Sequence, residues 1–463
     1  MFDELLKDSE IGALFTDEAV IRAMLRFEGA LALAQASVGR IPADQARLIE
    51  QVCAAAEIDP QKIIAAAKDA GNPAIPLVKA LTCLVGQANG GAAQYVHAGA
   101  TSQDVIDSAL MLQLKKALSE LDLGLNQLQD QLIQLVREHR DTVMIGRTLL
   151  QQARPISFGL KLAGWLDQLV RCKQSLKRVR EQAVVLQFGG ATGTLAASGE
   201  SAVAIMTKLA ELLELGEPAM PWHSARDRVF EIASALTMLS GCLGKIATDA
   251  ALLMQTEIAE LTEEAGEGRG GSSALPHKKN PVMPTLIIAA CTRIPGLCSS
   301  IAISMIQEHE RAVGRWHAEW GPLADIVSLT ASAVKNTVSL FSRLKVDPVR
   351  MRQNIELTRG LVYAEDVSVA LATHIGKPRA DQAVKLACER ARAKQQHLRD
   401  VLLSDPGTIE WLDAMTLEQI FRPENALGAS NELIDRVLRH AGAGRAEDLS
   451  SGGGEHQNEI PSD

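Results

Sequence analysis

An all-α fold around a central bundle of five long helices is what this sequence predicts, from three features. Aromatic residues are only 3% of the chain although 47% is hydrophobic, with Ala and Leu dominant. That balance favours close-packed helices, since strands draw on aromatic and β-branched side chains. Leu114, Leu118, Leu121, Leu125, Leu128, Leu132 and Leu135 alternate at spacings of four and three, an unbroken heptad stripe. Four further apolar segments are separated from it and from one another by polar, Gly-rich connections.

Taken in order, residues 1–106 read as an N-terminal domain of short helices, broken at Ile41-Pro42, Asp59-Pro60 and Gly71-Asn72-Pro73. Its end, YVHAGATSQD (Tyr95 to Asp104), precedes the first long helix. Thr101 or Ser102 would cap that helix, with Asp104 in its first turn. The leucine stripe predicts a helix from about Asp107 to Arg140; at about 1.5 Å per residue it is roughly 50 Å long. A second follows Pro155 to about Leu186, and a third starts near Arg226. The fourth begins after Pro281, a helix-compatible start, and the fifth spans about Glu319 to Phe341. The connections are IGRTLLQQARP, LQFGGATGTLAA and QEHERAVGRWHAEW. Residues 107–346 thus form the central domain and 347–447 a C-terminal domain of shorter helices. Residues 448–463 are polar and Gly-rich, the composition of a disordered tail. Seams this long imply that the helices also pack against other subunits.

The formal net charge of −9 argues against nucleic-acid binding through a broad basic face; an anionic small ligand needs a locally basic pocket. Seven scattered cysteines without a C-x-x-C read as buried thiols in a reducing compartment. The histidines form no metal-ligand cluster, and nothing calls for a metal or a cofactor. The acidic start lacks an apolar signal region, and no apolar run reaches membrane-spanning length. A soluble, cytoplasmic protein is expected.

Gly266 to Pro284, GEGRGGSSALPHKKNPVMP, is the longest helix-breaking stretch in the bundle. Long polar loops inside a compact domain are uncommon and usually functional or disordered. Gly266, Gly268 and Gly271 satisfy G-x-G-x-x-G, but no βαβ unit surrounds them, and no Walker loop is present. By composition alone the stretch is either a solvated linker or a loop whose hydroxyls, ammonium groups and Asn280 amide suit an anion.

GSSALPHKKNP resembles the signature of the fumarase/aspartase superfamily, G-S-S-x-M-P-x-K-x-N-P, with Leu275 in place of Met. HAGATSQD and Gly146-Arg147-Thr148, with Gln151, resemble two further regions of that superfamily, and the likeness runs to about residue 440. It implies a three-domain fumarase/aspartase-like fold and a homotetramer whose active sites are shared between subunits. It implies Ser272 as the residue exchanging a proton with a substrate carbon. Lys278 and Asn280 would hold a carboxylate, and Thr101, Ser102, Thr148 and Gln151 would line the site.

The lyases of the superfamily usually carry G-R-T-H-L-Q; here Leu149 replaces the histidine. A leucine can neither transfer a proton nor bind the leaving group. One branch lacks that histidine, the bacterial 3-carboxy-cis,cis-muconate cycloisomerases of the protocatechuate branch of aromatic degradation. This chain resembles it in GNPAIPLVKAL, LQFGGATG and EHERAVGRWHAEW. The resemblance implies a small tricarboxylate substrate and an intramolecular addition that needs no protein nucleophile. The adenylosuccinate lyases are the alternative. Where they carry a serine and an arginine for phosphate, this chain has Trp316 and Trp320, poor partners for an anion. A non-catalytic scaffold is the other alternative, against which stand Ser272, Lys278 and Asn280.

For an acidic chain to hold a tricarboxylate, cations must be gathered locally. Arg147, Lys278, Arg311 and Arg315 are the candidates; Lys279 is set aside because adjacent loop residues often point apart. Arg315 would equally pair with Glu319 at i,i+4. His97 is the alternative acid to Ser272, since it titrates near neutrality; its other reading is a hydrogen-bonded structural histidine. His223 and His277 have no assigned chemistry, and Glu257 and Glu260 are expected to orient loop cations.

Overall fold

The computed structural model describes residues 2–264, 270–271, 275 and 277–442. Ser272 and the 448–463 tail therefore lie outside the described residues. The chain is mostly helical, as its composition predicts. Short α1 (Phe2–Leu6) and α2 (Ser9–Ala13) lead into α3 (Asp17–Ser37), α4 (Ala43–Ala55), α5 (Pro60–Ala70) and α6 (Ala74–Ala88). The long helices are α7 (Ser102–Glu138), α8 (Phe158–Ala183), α10 (Asp227–Leu253), α11 (Val282–Ser304) and α12 (Arg315–Ser342), with α9 (Ala202–Leu213) between α8 and α10. Short helices follow, among them α13 (Pro348–Ile355), α14 (Ala364–Ile375) and α15 (Lys377–Lys394). All five predicted long helices are present; α7 starts earlier than the leucine stripe suggested, and α12 starts at Arg315.

By internal contacts the described residues form two compact units. The first takes in Met1–Asn126, Cys172–Lys245 and Leu286–Thr337. Within it the long helices meet pairwise. Gly124 of α7 is required by α12, because a Cβ there would sit 2.8 Å from Val334 Cγ1. Lys173 of α8 donates to Asn126 of α7 at 2.6 Å. Cys172 Sγ of α8 lies 3.9 Å from the Met238 carbonyl of α10, and α10 meets α11 at Gly244 and Cys291. Leu114, Leu118, Leu121, Leu125, Leu128 and Leu132 are buried; Leu135 is only partly so.

Contrary to expectation, α10 and α11 are long and apolar enough to cross a membrane by length and composition. Their Ser, Thr, Gly and Cys interrupt the apolar runs without adding charge, so mean hydropathy stays high. Both bury core faces, through Ile232, Leu236, Leu239 and Leu243 of α10 and Ile287, Ile294 and Ile301 of α11. Five cysteines are buried as predicted, but Cys83 is exposed on α6 and Cys388 is partly exposed.

The second unit comprises Gln127–Arg171, Ile246–Thr285 and the described part of Val338–Asp463. Its core joins Val143 and Ile145 to Tyr363, Val367 and Leu371, and to Val384 and Leu398. Here the sequence misled. The segment taken as a plain connection is an antiparallel hairpin, β1 (Val143–Thr148) paired with β2 (Gln151–Ser157). Val143, Met144 and Ile145 supply β-forming, buried side chains. A second small sheet pairs β3 (Leu261–Glu263) with β4 (Leu344–Val346).

Candidate active site

Asp104, in the first turn of α7, organises the polar end of the first unit. Its Oδ2 accepts the Thr101 amide at 3.0 Å, the backbone half of a capping box. The same carboxylate accepts the Gly189 and Gly190 amides, each at 2.9 Å, and His223 Nε2 at 2.7 Å. Gly189 has no room for a side chain, since a Cβ would fall 2.6 Å from Pro221. The glycines of LQFGGATG thus aim their N–H groups at a buried carboxylate, and His223, given no chemistry by the sequence, is buried against the same carboxylate.

With Asp104 satisfied, the hydroxyls before it serve another partner. Arg311 Nη1 donates to Thr101 Oγ1 at 2.6 Å and Nη2 to Ser102 Oγ at 3.2 Å. Its Nε reaches Gln103 Oε1 at 3.4 Å. Three predicted site residues, Thr101, Ser102 and Arg311, are therefore brought together. Because both hydroxyl oxygens accept from the guanidinium, their own O–H protons are left to donate outward. Arg311, Gln103 and Trp316 line a cleft of about 400 Å³ with Gly71, Asn72 and His317.

Beneath the cleft lies a charge network that sequence reasoning missed. Arg226 is fully buried, its guanidinium forked onto Asp107 (2.7 and 3.1 Å) and Glu319 (2.7 Å from Nη2). Its Cζ sits 4.9 Å from the centroid of the Trp222 ring. Trp316 Nε1 donates to Asp107 at 3.0 Å, and Gln103 Nε2 donates to Asp107 at 3.2 Å and to the His223 carbonyl at 2.8 Å. Burial raises the Glu319 carboxyl above its usual range, against the opposing pull of Arg226. The same Glu319 corrects the pairing weighed for Arg315: held by Arg226, it is not Arg315's partner. Arg315 instead bonds the Ile306 carbonyl and lies 3.3 Å from Glu308. Nothing in the sequence marks Arg226 as buried; only the nearby Trp222 hints at it.

His97 adopts a left-handed backbone (φ 59°), and its Nδ1 lies 2.6 Å from Glu28 Oε1. Burial lowers its pKa, but the hydrogen bond and charge of Glu28, with the charge of Asp104, outweigh that and leave it raised.

In the second unit, Arg147 forks onto Glu260 at 3.0 and 2.7 Å. Glu260 is fully buried and also accepts Asn354 Nδ2 at 2.8 Å. It orients a cation, as expected, though one on the hairpin rather than the loop; among the described contacts Glu257 offers its carbonyl, to Arg350. Thr148 and Gln151 pair across the hairpin end and are exposed. Between them Leu149 and Leu150 are both left-handed (φ 51° and 63°) and 96% and 76% exposed. Lys278 and Asn280 line a cavity of about 210 Å³ with Glu263 and Arg343. The Asn280 backbone N–H donates to the Gly270 carbonyl at 2.9 Å.

A lyase family model matches residues 6–296, and one for the adenylosuccinate lyase C-terminus matches residues 360–437. A 3-carboxy-cis,cis-muconate cycloisomerase of Pseudomonas aeruginosa is 46% identical over 95% of this chain and 95% of its own. One from Acinetobacter baylyi is 42% identical over 95% of this chain and 98% of its own. The crystal structure of 3-carboxy-cis,cis-muconate lactonizing enzyme from Pseudomonas putida superposes with a TM-score of 0.91 at 42% identity, covering 96% of this chain and 99% of that one.

Proposed function

The chain belongs to the fumarase-type lyase superfamily, and from that premise we infer that it is a cycloisomerase acting on 3-carboxy-cis,cis-muconate. The product is 4-carboxymuconolactone, in the protocatechuate branch of aromatic degradation. A carboxylate of the substrate adds to its own double bond and closes a five-membered lactone. Charge then develops on the carboxylate next to the attacked alkene, and the α-carbon takes a proton.

The observation that carries the site assignment is the Arg311 fork. Among the described contacts its guanidinium meets two hydroxyls and an amide, not a carboxylate, so its charge is not cancelled. Thr101 and Ser102, polarised by it, add two donors aimed away from the guanidinium. Preorganised donors of this kind usually make the largest contribution to catalysis, and the cleft beside them restrains a flexible diene near attack geometry. Lys278 and Asn280 are read as holding a further carboxylate, and Thr148 and Gln151 as lining the site. Arg315 and Arg147, paired with Glu308 and Glu260, act at most at its margin. Ser272 is the group proposed to protonate carbon, with His97 the alternative acid.

A homotetramer with shared sites is part of this reading. α11 carries a single charged residue, Arg293, yet only 33% of its most apolar window is buried within the chain; a partner copy would cover the rest. The strained, exposed Leu149–Leu150 tip suits the same role. The division at 106 and 346 into three domains, and a cytoplasmic location consistent with seven free thiols, complete the proposal.

One spectrophotometric assay tests it. The diene absorbance of 3-carboxy-cis,cis-muconate should decay with the purified chain and stay constant with Ser272→Ala. Fumarate release from adenylosuccinate would replace this reading with the lyase alternative. Silence with both substrates, from a folded assembly, would leave only the scaffold.

A further inference from the structure

We propose that Glu28 is the positioning residue for His97. Its buried carboxylate accepts a hydrogen bond from Nδ1–H, fixes the ring, and leaves Nε2–H as the face that meets substrate charge. The inference rests on the reading of His97 as a residue of the active site.

Glu28 lies in the middle of α3, between the buried Phe27 and Gly29, and its side chain is 1% exposed. No surface role accounts for a carboxylate there. Its Oε1 is 2.6 Å from His97 Nδ1, while Oε2 is buried with no partner among the described residues. A buried carboxylate with half its acceptors unmet is costly unless its neighbour carries the opposite charge. The imidazolium is that neighbour.

The grip is double. Gln35, two turns further along the same face of α3, donates from Nε2 to the Ala98 carbonyl at 2.6 Å. Two side chains of one helix thus hold consecutive residues, in a stretch where His97 has a left-handed backbone. That stretch leads directly to Thr101 and Ser102 in the Arg311 fork. A conformation that only surrounding contacts can maintain is a feature of sites where a side chain must be aimed.

With Nδ1 committed to Glu28, the ring's orientation is set and only Nε2 remains to act. The charged groups acting on the ring are Glu28 from α3 and Asp104 from α7, both anionic. Both favour the imidazolium, so its Nε2–H is retained above the pH at which a free histidine would lose it. A cationic donor of this kind stabilises the enediolate-like charge whichever residue finally protonates carbon.

The test uses the full assembled chain with Glu28→Gln, an isosteric change, and reads two quantities. Deuterium exchange at the imidazole C2 position, followed by mass spectrometry, gives the His97 titration midpoint. The pH dependence of kcat on 3-carboxy-cis,cis-muconate gives the other. The expected result is a lower His97 midpoint, with the alkaline fall of kcat moving to lower pH alongside it. Above neutral pH kcat should drop by about tenfold or more while KM changes little. An unmoved midpoint overturns the role of Glu28. A midpoint that moves while the kcat profile does not overturns the reading of His97, leaving the cycloisomerase assignment intact. A cycle with His97→Asn guards against a merely unstable variant. If Glu28 acts through His97, the double variant turns over no more slowly than His97→Asn alone, and additive losses overturn the proposal.

Discussion

Arg311 and Arg147 stand out alike in the sequence, as arginines within polar connections at the ends of long helices, and the structure treats them oppositely. Arg311 is forked onto neutral groups, two hydroxyls and an amide. Arg147 is forked onto a fully buried carboxylate. The first keeps its charge available, and the second uses it to neutralise Glu260 and to anchor the hairpin beside its turn. In a chain of net charge −9, what makes a cation useful to an anionic ligand is the partner it lacks. Arg226 marks the far limit, with two buried carboxylates around one guanidinium.

The sharpest way to break this contrast is at Arg147. Arg147→Met should cost about 3–5 kcal/mol of stability, because it strands the Glu260 charge in the interior. Chemical denaturation measures that loss. Adding Glu260→Gln should restore most of it, since the stranded charge rather than the missing attraction is the main cost. If Arg147→Met were as stable as the parent and only KM rose, Arg147 would be a substrate cation like Arg311.

Arg311→Met should do the reverse. Its partners are neutral, and Arg311 itself lines an open cleft, so stability should change by no more than about 1 kcal/mol. Losing the charge and the polarisation of Thr101 and Ser102 should lower kcat/KM by about 100-fold, or roughly 2.7 kcal/mol of transition-state stabilisation. Steady-state kinetics by the diene assay decides it. A kcat/KM within about threefold of the parent would remove Arg311 from the site.

The five long helices were legible because burial imposes a period on the sequence, and the heptad stripe of α7 is buried from Leu114 to Leu132. Thr101 and Ser102 were legible through the likeness of HAGATSQD to the superfamily and Arg311 as a candidate cation, but their meeting was not, since nothing local says that residues about two hundred positions apart will meet. Asp107 and Glu28 were not legible at all, and Arg226 only through the hint of the nearby Trp222. Each is a charged residue next to a helix start or within a helix, where an exposed position is the ordinary expectation, and only the tertiary partner makes its burial tolerable. The hairpin was missed for a different reason. Its two-residue turn is made of leucines, whereas the sequence signal for such turns is Asn-Gly or Gly-containing.

That turn offers the smallest expected effect on stability and the most informative sign. Leu149 and Leu150 both hold positive φ, a conformation costing a non-glycine residue on the order of 1–3 kcal/mol, and their side chains gain little in return within one chain. Replacing them by Asn and Gly (Leu149→Asn with Leu150→Gly) matches the turn to residues that favour it and should stabilise the chain by about 1 kcal/mol. The anchor two residues away, Arg147 on Glu260, is untouched, so the hairpin stays in place. If the leucines serve contact with a second copy, the gain in stability should come with a weaker assembly and lower turnover, read by native mass spectrometry and the diene assay. If stability rises while assembly and turnover are unchanged, the strained tip has no part in the shared site. In that case the Arg311 cleft must draw its remaining contacts from elsewhere.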